Sequence, residues 1–482
     1  MQSNTPKFWS VLPTVLASLA FAGRAPAQWA AVSLHPAGTS GSEGRGGAAG
    51  QPVGSVAPTA GLNHAAVWNG LTSSWTDLNP AGGFRSECAD GDGVQQVGFV
   101  DYATDRVATV WSGSAASAVS LNPPGCTFAQ AFSVSSGSQV GRFDVGNTVF
   151  HAALWSGTAA SIVDLNPPGI VSSTAFGVRG NQQVGAVGLG GFSHASSWSG
   201  TAATWVDLAP PMAGHSIAYA TDGVQQVGSL TLAGTFSAFA CMWSGTAASF
   251  VDLTPAGSSI SEALDVDAGQ QCGYASMPFL SPHACVWSGS AASFVDLHPA
   301  LPANYSGSRA NAIWHANGRT YVLGRAHNAT SNRDEAILWS SLKREVYCTG
   351  KLNSAGCTPN IGTIGFAASA TNLRNNVNGL MLYGNAGRAS IPFANGTLCI
   401  ASPRLRGTPL NSGGSNPPIV DCSGVFQVEL HAFRDSLLAS WPTSFLSVPG
   451  TLVDFQFWAR DPGFAPPNNA QLSNAIELEL AP

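Results

Sequence analysis

With 482 residues, 44% of them apolar, the chain is long enough for two or three domains and too apolar for wholesale disorder. A formal net charge of −6, with no run of Lys or Arg, excludes the electrostatic footprint that nucleic acid or anionic lipid requires. Only 10% of residues are charged while Gly alone numbers 55, a balance that suits tightly turned sheets and leaves little room for amphipathic helices.

Residues 1–27 combine Lys7, an apolar stretch from Phe8 to Ala22 and the small-x-small sequence Ala25-Pro26-Ala27, the pattern of a cleaved signal peptide, so the mature chain is expected to begin at Gln28. The stretch is short and broken by Pro13, and no later segment reaches ~18 uninterrupted apolar residues, so no integral membrane span is expected in the mature chain. The expected location is extracellular or at the cell surface. Export permits disulfides, and the nine cysteines include no C-x-x-C and none beside a His pair, so pairing is considered before metal ligation.

Beyond residue 28 the chain repeats. Trp68, Trp111, Trp155, Trp198, Trp243, Trp287 and Trp339 follow at steps of 43 to 45, the last step being 52. The Gly of a QQVG-like segment keeps pace at Gly54, Gly98, Gly141, Gly185, Gly228, Gly273 and Gly324. A Leu-x-Pro element, led by Ser33, Asp77, Ser120, Asp164, Asp207, Asp252 or Asp296, keeps pace too. Period-2 alternation between Gly- and Pro-rich breaks predicts four short strands per unit, the size of a propeller blade. The unit holding Trp339 lacks its own Leu-x-Pro strand, and the mature amino terminus supplies an orphan one, WAAVSLHP. The phase therefore predicts a seven-bladed β-propeller over 28–342, closed by the N-terminal strand.

The segments HAALWSGTAASIVDL at His151–Leu165 and HASSWSGTAATWVDL at His194–Leu208 resemble the HAF-type extracellular repeat of bacteria, a resemblance covering roughly residues 28–341. It implies no reaction. Its His-Ala element persists at His64, His151, His194 and His283 and becomes Val107, Phe239 and Glu335 elsewhere, an interchange that points to structure.

From Lys343 the repeat gives way to short alternating runs, predicting a C-terminal antiparallel β-sandwich over 343–482 and an all-β fold class for the whole. Cys348 with Cys357 and Cys399 with Cys422 are the pairings that close the shortest loops, although spacing alone does not fix connectivity. Trp441 and Trp458 are expected in the core. The stretches CTGKLNSAGCTPNIG and WARDPG resemble a carboxy-terminal module that recurs on large secreted bacterial proteins, which implies surface retention or an accessory role.

Chemistry is harder to find. Asp90-Gly91-Asp92-Gly93 looks like a calcium loop, yet other units carry Asp222-Gly223, Gly137-Ser138 and Ala268-Gly269 there, so a hairpin turn is expected and no metal. The repeated Asp of the Leu-x-Pro element is replaced by Ser at Ser33 and Ser120, as suits a residue that bonds turn amides. G-x-S-x-G, H-E-x-x-H and phosphate-binding loops are missing, and no cofactor is expected. Symmetry breaks at the residues eleven before most landmark glycines, where Glu43, Glu87, Gln130, Glu262 and Arg309 form the candidate ligand site at a channel mouth. Cys272 and Cys285, on adjacent strands, are a further disulfide candidate. The expected function is a non-enzymatic interaction platform for glycan or protein. The alternatives are a propeller enzyme acting on polysaccharide, glycosidase or lyase, and a structural envelope component. Two carboxyls converging in one pocket at roughly 5–10 Å would favour the enzyme.

Overall fold

The computed structural model describes residues 29–480 apart from 49, 59–60, 147–148, 277–280, 349, 352, 365–366, 438–443 and 449. The expected signal peptide and Trp441 lie outside the described residues. The chain is a β-propeller followed by a β-sandwich, with Leu430–Leu437 the one α-helix among the described residues.

Seven four-stranded antiparallel sheets make the propeller. Their innermost strands are Gly41–Ala48, Arg85–Gly91, Ala129–Ser135, Ser173–Arg179, Ala213–Thr221, Ile260–Asp267 and Tyr305–Ala316, which define blades 1 to 7. Each innermost strand touches the next, and that of blade 7 touches that of blade 1, so the seven surround a common axis. Blade 7 takes its outermost strand from the other end of the ring: Trp29–Ser33 pairs antiparallel with Arg333–Ser341, with Trp29 opposite Ser341 and Ser33 opposite Ile337.

A lone sheet leaves both faces wet, and the landmark residues are what bury them. All seven repeat tryptophans are at most 1% exposed, and Leu34, Leu78, Leu121, Leu165, Leu208, Leu253 and Leu297 are fully buried between blades. Polar clips accompany this packing. The amide of Ala195 donates to Ser216 Oγ of the next blade (2.9 Å), Ala240 does the same to Ser261 (2.9 Å), and Ala336 of blade 7 to Ser42 of blade 1 (2.9 Å). The joint that closes the ring is therefore built like the others.

The QQVG segment has a similar explanation. Its second Gln is buried and accepts from the Gly amide of the Trp-Ser-Gly turn, as Gln139 does from Gly157 (2.7 Å). The same side chain donates to the first Gln of the preceding blade: Gln139 to Gln95, Gln226 to Gln182, Gln271 to Gln225. Blade 3 carries Ser138 in place of that first Gln, and Gln183 turns instead to its own turn carbonyl, Asn181 (3.1 Å). Unpaired buried amides are costly, so the two glutamines form a unit.

The landmark Gly answers a bulge. In all seven blades the innermost strand slips register by one residue opposite this Gly, for instance between Ala175 and Gly177 opposite Gly185. The slip drives the carbonyl of the residue before the bulge onto the Gly Cα, so that a Cβ at Gly185 would overlap the Thr174 oxygen and lie 2.8 Å from Ala175 Cα. Only the missing side chain admits this approach.

In the C-terminal part, a five-stranded sheet (Arg344–Tyr347, Ala470–Glu479, Leu452–Arg460, Asn378–Gly384, Leu405–Asn411) faces a three-stranded one (Asn360–Ile364, Ala367–Leu373, Gly424–Glu429). Phe426 and Ala370 from the smaller sheet meet Phe455, Phe457 and Tyr383 in a shared core. Trp458 is half-buried against Leu398 and Ile400.

The shortest-loop pairing of cysteines is corrected: the disulfides are Cys348–Cys399 and Cys357–Cys422. The turn between Cys348 and Cys357 is already closed without sulfur, because Asn353 Oδ1 accepts from the amides of Ala355 (3.0 Å) and Cys357 (3.1 Å), which frees Cys357 to reach Cys422. The bridges join residues 51 and 65 apart, and loops that long are each worth ~4 kcal/mol in the chain-entropy account. Cys272 and Cys285 are also corrected, being free buried thiols. In the ladder Cys272 faces Val286 while Cys285 faces Gly273, so the two sulfurs lie on opposite faces of the sheet, one packed toward blade 7 and the other toward blade 5.

Candidate functional site

All five candidate site residues sit on innermost strands, one residue ahead of the small side chain that opposes the landmark Gly. They do not form a single cluster. Glu43 and Glu87 converge, Glu262 and Arg309 pair with each other at 2.9 Å, and Gln130 stands apart opposite Arg142.

The convergence depends on residues that the repeat does not advertise. Arg45 is the bulged residue of blade 1, and its Nη2 lies 3.0 Å from Glu43 and 3.2 Å from Glu87 of blade 2. Two oxygens on one nitrogen are at most about 6 Å apart, so the pair is no wider than carboxyls that flank a glycosidic bond. Arg85 engages the other oxygen of Glu87, and Asn311 of blade 7 donates to Glu43 (3.2 Å), with Arg325 beyond it at 3.7 Å. Blades 7, 1 and 2 thus hold the pair in place. Glu87 is buried and Glu43 partly open to water.

The bulged positions make a second row around the axis: Arg45, Ala89, Phe132, Phe176, Tyr219, Leu264 and Asn311, every one half-buried. Phe132 meets Phe176 with ring centroids 5.1 Å apart, and Phe176 meets Tyr219 at 5.8 Å, giving an aromatic arc over blades 3 to 5 beside the carboxyl pair. Next to it Arg309 lies over Tyr274 at 4.2 Å, and burial pushes the Tyr219 hydroxyl up to about 12.

Past the bulge the first strands carry Asp90 and Asp265, turned toward the following blade. Asp90 accepts from Ser133 Oγ (2.8 Å) and Val134 N (3.1 Å), and Asp265 from Ile313 N (2.8 Å). Asp92 caps its own turn, accepting from the amides of Val94 and Gln95. The Asp-Gly-Asp-Gly segment is therefore a turn and an inter-blade clip. Among the described residues no group of three or more His, Cys, Asp or Glu gathers as a metal site requires.

Burial pushes Asp265 up to about 8 and Asp90 up to about 6. A carboxyl whose folded value exceeds its unfolded one keeps a proton that the unfolded chain has released, so stability falls as pH rises from about 4 to about 8. The Asp265→Asn protein removes this titration. Its melting temperature relative to wild type is expected to improve steadily across that window, by the equivalent of ~1 kcal/mol or more at the alkaline end. A difference that does not vary with pH contradicts the assignment.

The repeated His and Asp residues lie away from the axis and pair across the outer strands: His64 with Asp77 (2.8 Å), His151 with Asp164 (2.8 Å), His194 with Asp207 (2.9 Å), His283 with Asp296 (2.9 Å). Blade 7 swaps both partners, Ser33 donating to Glu335 (3.1 Å). The second Asp oxygen accepts from the amide two residues on, as in Asp207 with Ala209 (2.8 Å), and Ser33 and Ser120 do the same for His35 and Asn122. These are turn residues.

No family model and no curated protein matches the chain. Among solved structures it is similar to a puromycin hydrolase, with 9% identity over 69% of this chain and 58% of that one and a TM-score of 0.43. A puromycin-hydrolyzing peptidase of Mycobacterium tuberculosis gives 12% identity over 72% and 61% of the two chains, TM-score 0.39. A putative TolB from Agrobacterium tumefaciens gives 8% over 52% and 86%, TM-score 0.36. The chain spans about 58% of the length of the puromycin hydrolase, and the likeness is one of fold alone. Hydrolases and peptidases, prolyl endopeptidases among them, recur in this set, so the expectation of a non-enzymatic platform is not borne out by the proteins that share the fold.

Proposed function

We propose that the chain is an exported propeller enzyme acting on polysaccharide, a glycosidase or lyase, with Glu43 and Glu87 as its carboxyl pair. The observation that carries this reading is the convergence of both carboxylates on Arg45. Cleaving a glycosidic bond takes one carboxyl to deliver a proton to the departing oxygen and a second to receive one from water or to attack the sugar carbon. Glu87, paired with the guanidiniums of Arg45 and Arg85, suits the carboxylate that attacks the sugar carbon, and Glu43, the more open of the two, suits the exchange of a proton with the departing oxygen and with water. The aromatic arc would seat the sugar rings alongside.

The amino-terminal pattern of residues 1–27 and two disulfides support export, and no helix among the described residues is long and apolar enough to cross a membrane. The resemblance to the HAF-type repeat agrees with an extracellular place of work, the sandwich serving as attachment or spacer.

The test is release of reducing ends, or of unsaturated products in the lyase case, from a panel of neutral and acidic polysaccharides by the mature chain. Turnover is expected, and Glu43→Gln and Glu87→Gln are each expected to lower it by ~10²–10⁴. No turnover on any member, or full activity in both variants, would overturn the reading.

A further inference from the structure

Arg142 stands on the second strand of blade 3, opposite the candidate residue Gln130 and beside the aromatic arc. Every other described arginine of blades 1 to 7 has a carboxylate within ion-pairing distance: Arg45, Arg85, Arg106, Arg179, Arg309, Arg319, Arg325 and Arg333. Arg142 has none, and its Nε is buried with no hydrogen-bond partner. Phe150, Phe128 and Phe132 surround the guanidinium with their centroids at 4.5, 5.6 and 5.8 Å. Rings of this kind offset part of the cost of a desolvated cation but accept none of its N–H bonds in the way a carboxylate does. The neighbouring cation, Arg106, is already bonded to both oxygens of Asp101 (2.7 and 2.9 Å) and raises the cost further. A half-buried guanidinium without a counter-ion, in a chain with so few charges, carries a desolvation cost that a bound anion would offset.

We infer that Arg142 binds a carboxylate carried on a sugar ring, so that the substrate is a uronate-containing polysaccharide whose rings rest on the Phe132–Phe176–Tyr219 arc. The inference rests on the reading of the channel mouth as a polysaccharide site and names its substrate class. A planar guanidinium meets a carboxylate through two parallel bonds, while the pyranose face finds an apolar ring. Beyond Phe132 the row of bulged residues continues with the small Ala89 of blade 2 and then Arg45 of blade 1, to which Glu43 and Glu87 are bonded, so a chain held by Arg142 can extend toward Glu87.

Binding is measured by affinity electrophoresis in gels containing polygalacturonate, alginate, hyaluronate, dextran sulfate or neutral mannan. The Glu43→Gln protein serves as the parent, so that the result is independent of turnover. At least one uronate polymer is expected to retard the parent. Arg142→Gln is expected to weaken that retardation about 10-fold or more, with Arg142→Lys intermediate because it keeps charge and loses the planar pair. Melting temperature is the folding control, and removing an unpaired half-buried cation is expected to leave it level or higher. Retardation by none of the three uronates, equal retardation of parent and Arg142→Gln, or dependence on Arg142 only in dextran sulfate overturns the inference. Turnover confined to mannan overturns it while sparing the enzyme reading; Arg142-dependent binding with no turnover by the wild-type chain does the reverse.

Discussion

Replacing Gly185 with alanine is expected to destroy the cooperative unfolding of the propeller, although the change adds one methyl group to a residue far from any terminus. The added Cβ has nowhere to go: the Thr174 oxygen occupies its place, with Thr174 C at 2.9 Å and Ala175 Cα at 2.8 Å, all of them backbone atoms. Relief requires undoing the bulge, and a one-residue shift of the innermost strand would turn its core side chains to the channel and its channel side chains to the core. The cost belongs at the exceptional end for single substitutions, roughly 4 kcal/mol or more. Alanine at Gly190, which no atom approaches within 4 Å, is the control for mere loss of a glycine; its φ of +60° makes it modestly costly. Melting curves in which the Gly185 variant is no worse than the Gly190 one would refute the close-approach argument.

Removing residues up to Pro36 is expected to have an effect of similar size through a different mechanism. The excised strand completes blade 7, Leu34 fills the space between blades 7 and 1, and the Leu34 carbonyl accepts the indole N–H of Trp68 (2.8 Å). Lost backbone pairing at ~0.5–1.5 kcal/mol per bond and an unburied leucine at ~1.5–3 kcal/mol together amount to ~5 kcal/mol or more. The truncation also bares the edge of Arg333–Ser341 for pairing with other chains. Lower melting temperature with oligomers on gel filtration is expected; an unchanged, monomeric protein would show that the latch contributes little.

The fold was legible because its determinants are periodic. Tryptophan, glycine and leucine recur at one spacing since each meets the same neighbours seven times, and the incomplete unit at Trp339 and the orphan strand before Leu34 were visible as a mismatch of phase. The candidate site was legible only in half. Glu43, Glu87, Glu262 and Arg309 stand out by breaking symmetry, but Arg45, which brings two of them together, occupies a bulge, and a bulge adds a residue that alternation assigns to neither face. The usable signal was the residue just after the small one, where Phe132, Phe176 and Tyr219 line up as soon as the bulge is allowed for. Cysteine pairing was illegible for another reason: the shortest loops looked best, while the side chain of Asn353 had already closed one of them. Cys272 and Cys285 misled through adjacency of strands, which says nothing about the face from which each sulfur projects.

Reducing-end release by the wild-type chain, Glu43→Gln, Glu87→Gln and the double variant, each shown to melt like the wild type, addresses the pairing of these carboxyls most directly. Residues that act as one unit are not additive, so the double variant is expected to be no less active than the weaker single one. A double variant that retains wild-type turnover would place the chemistry elsewhere on the molecule.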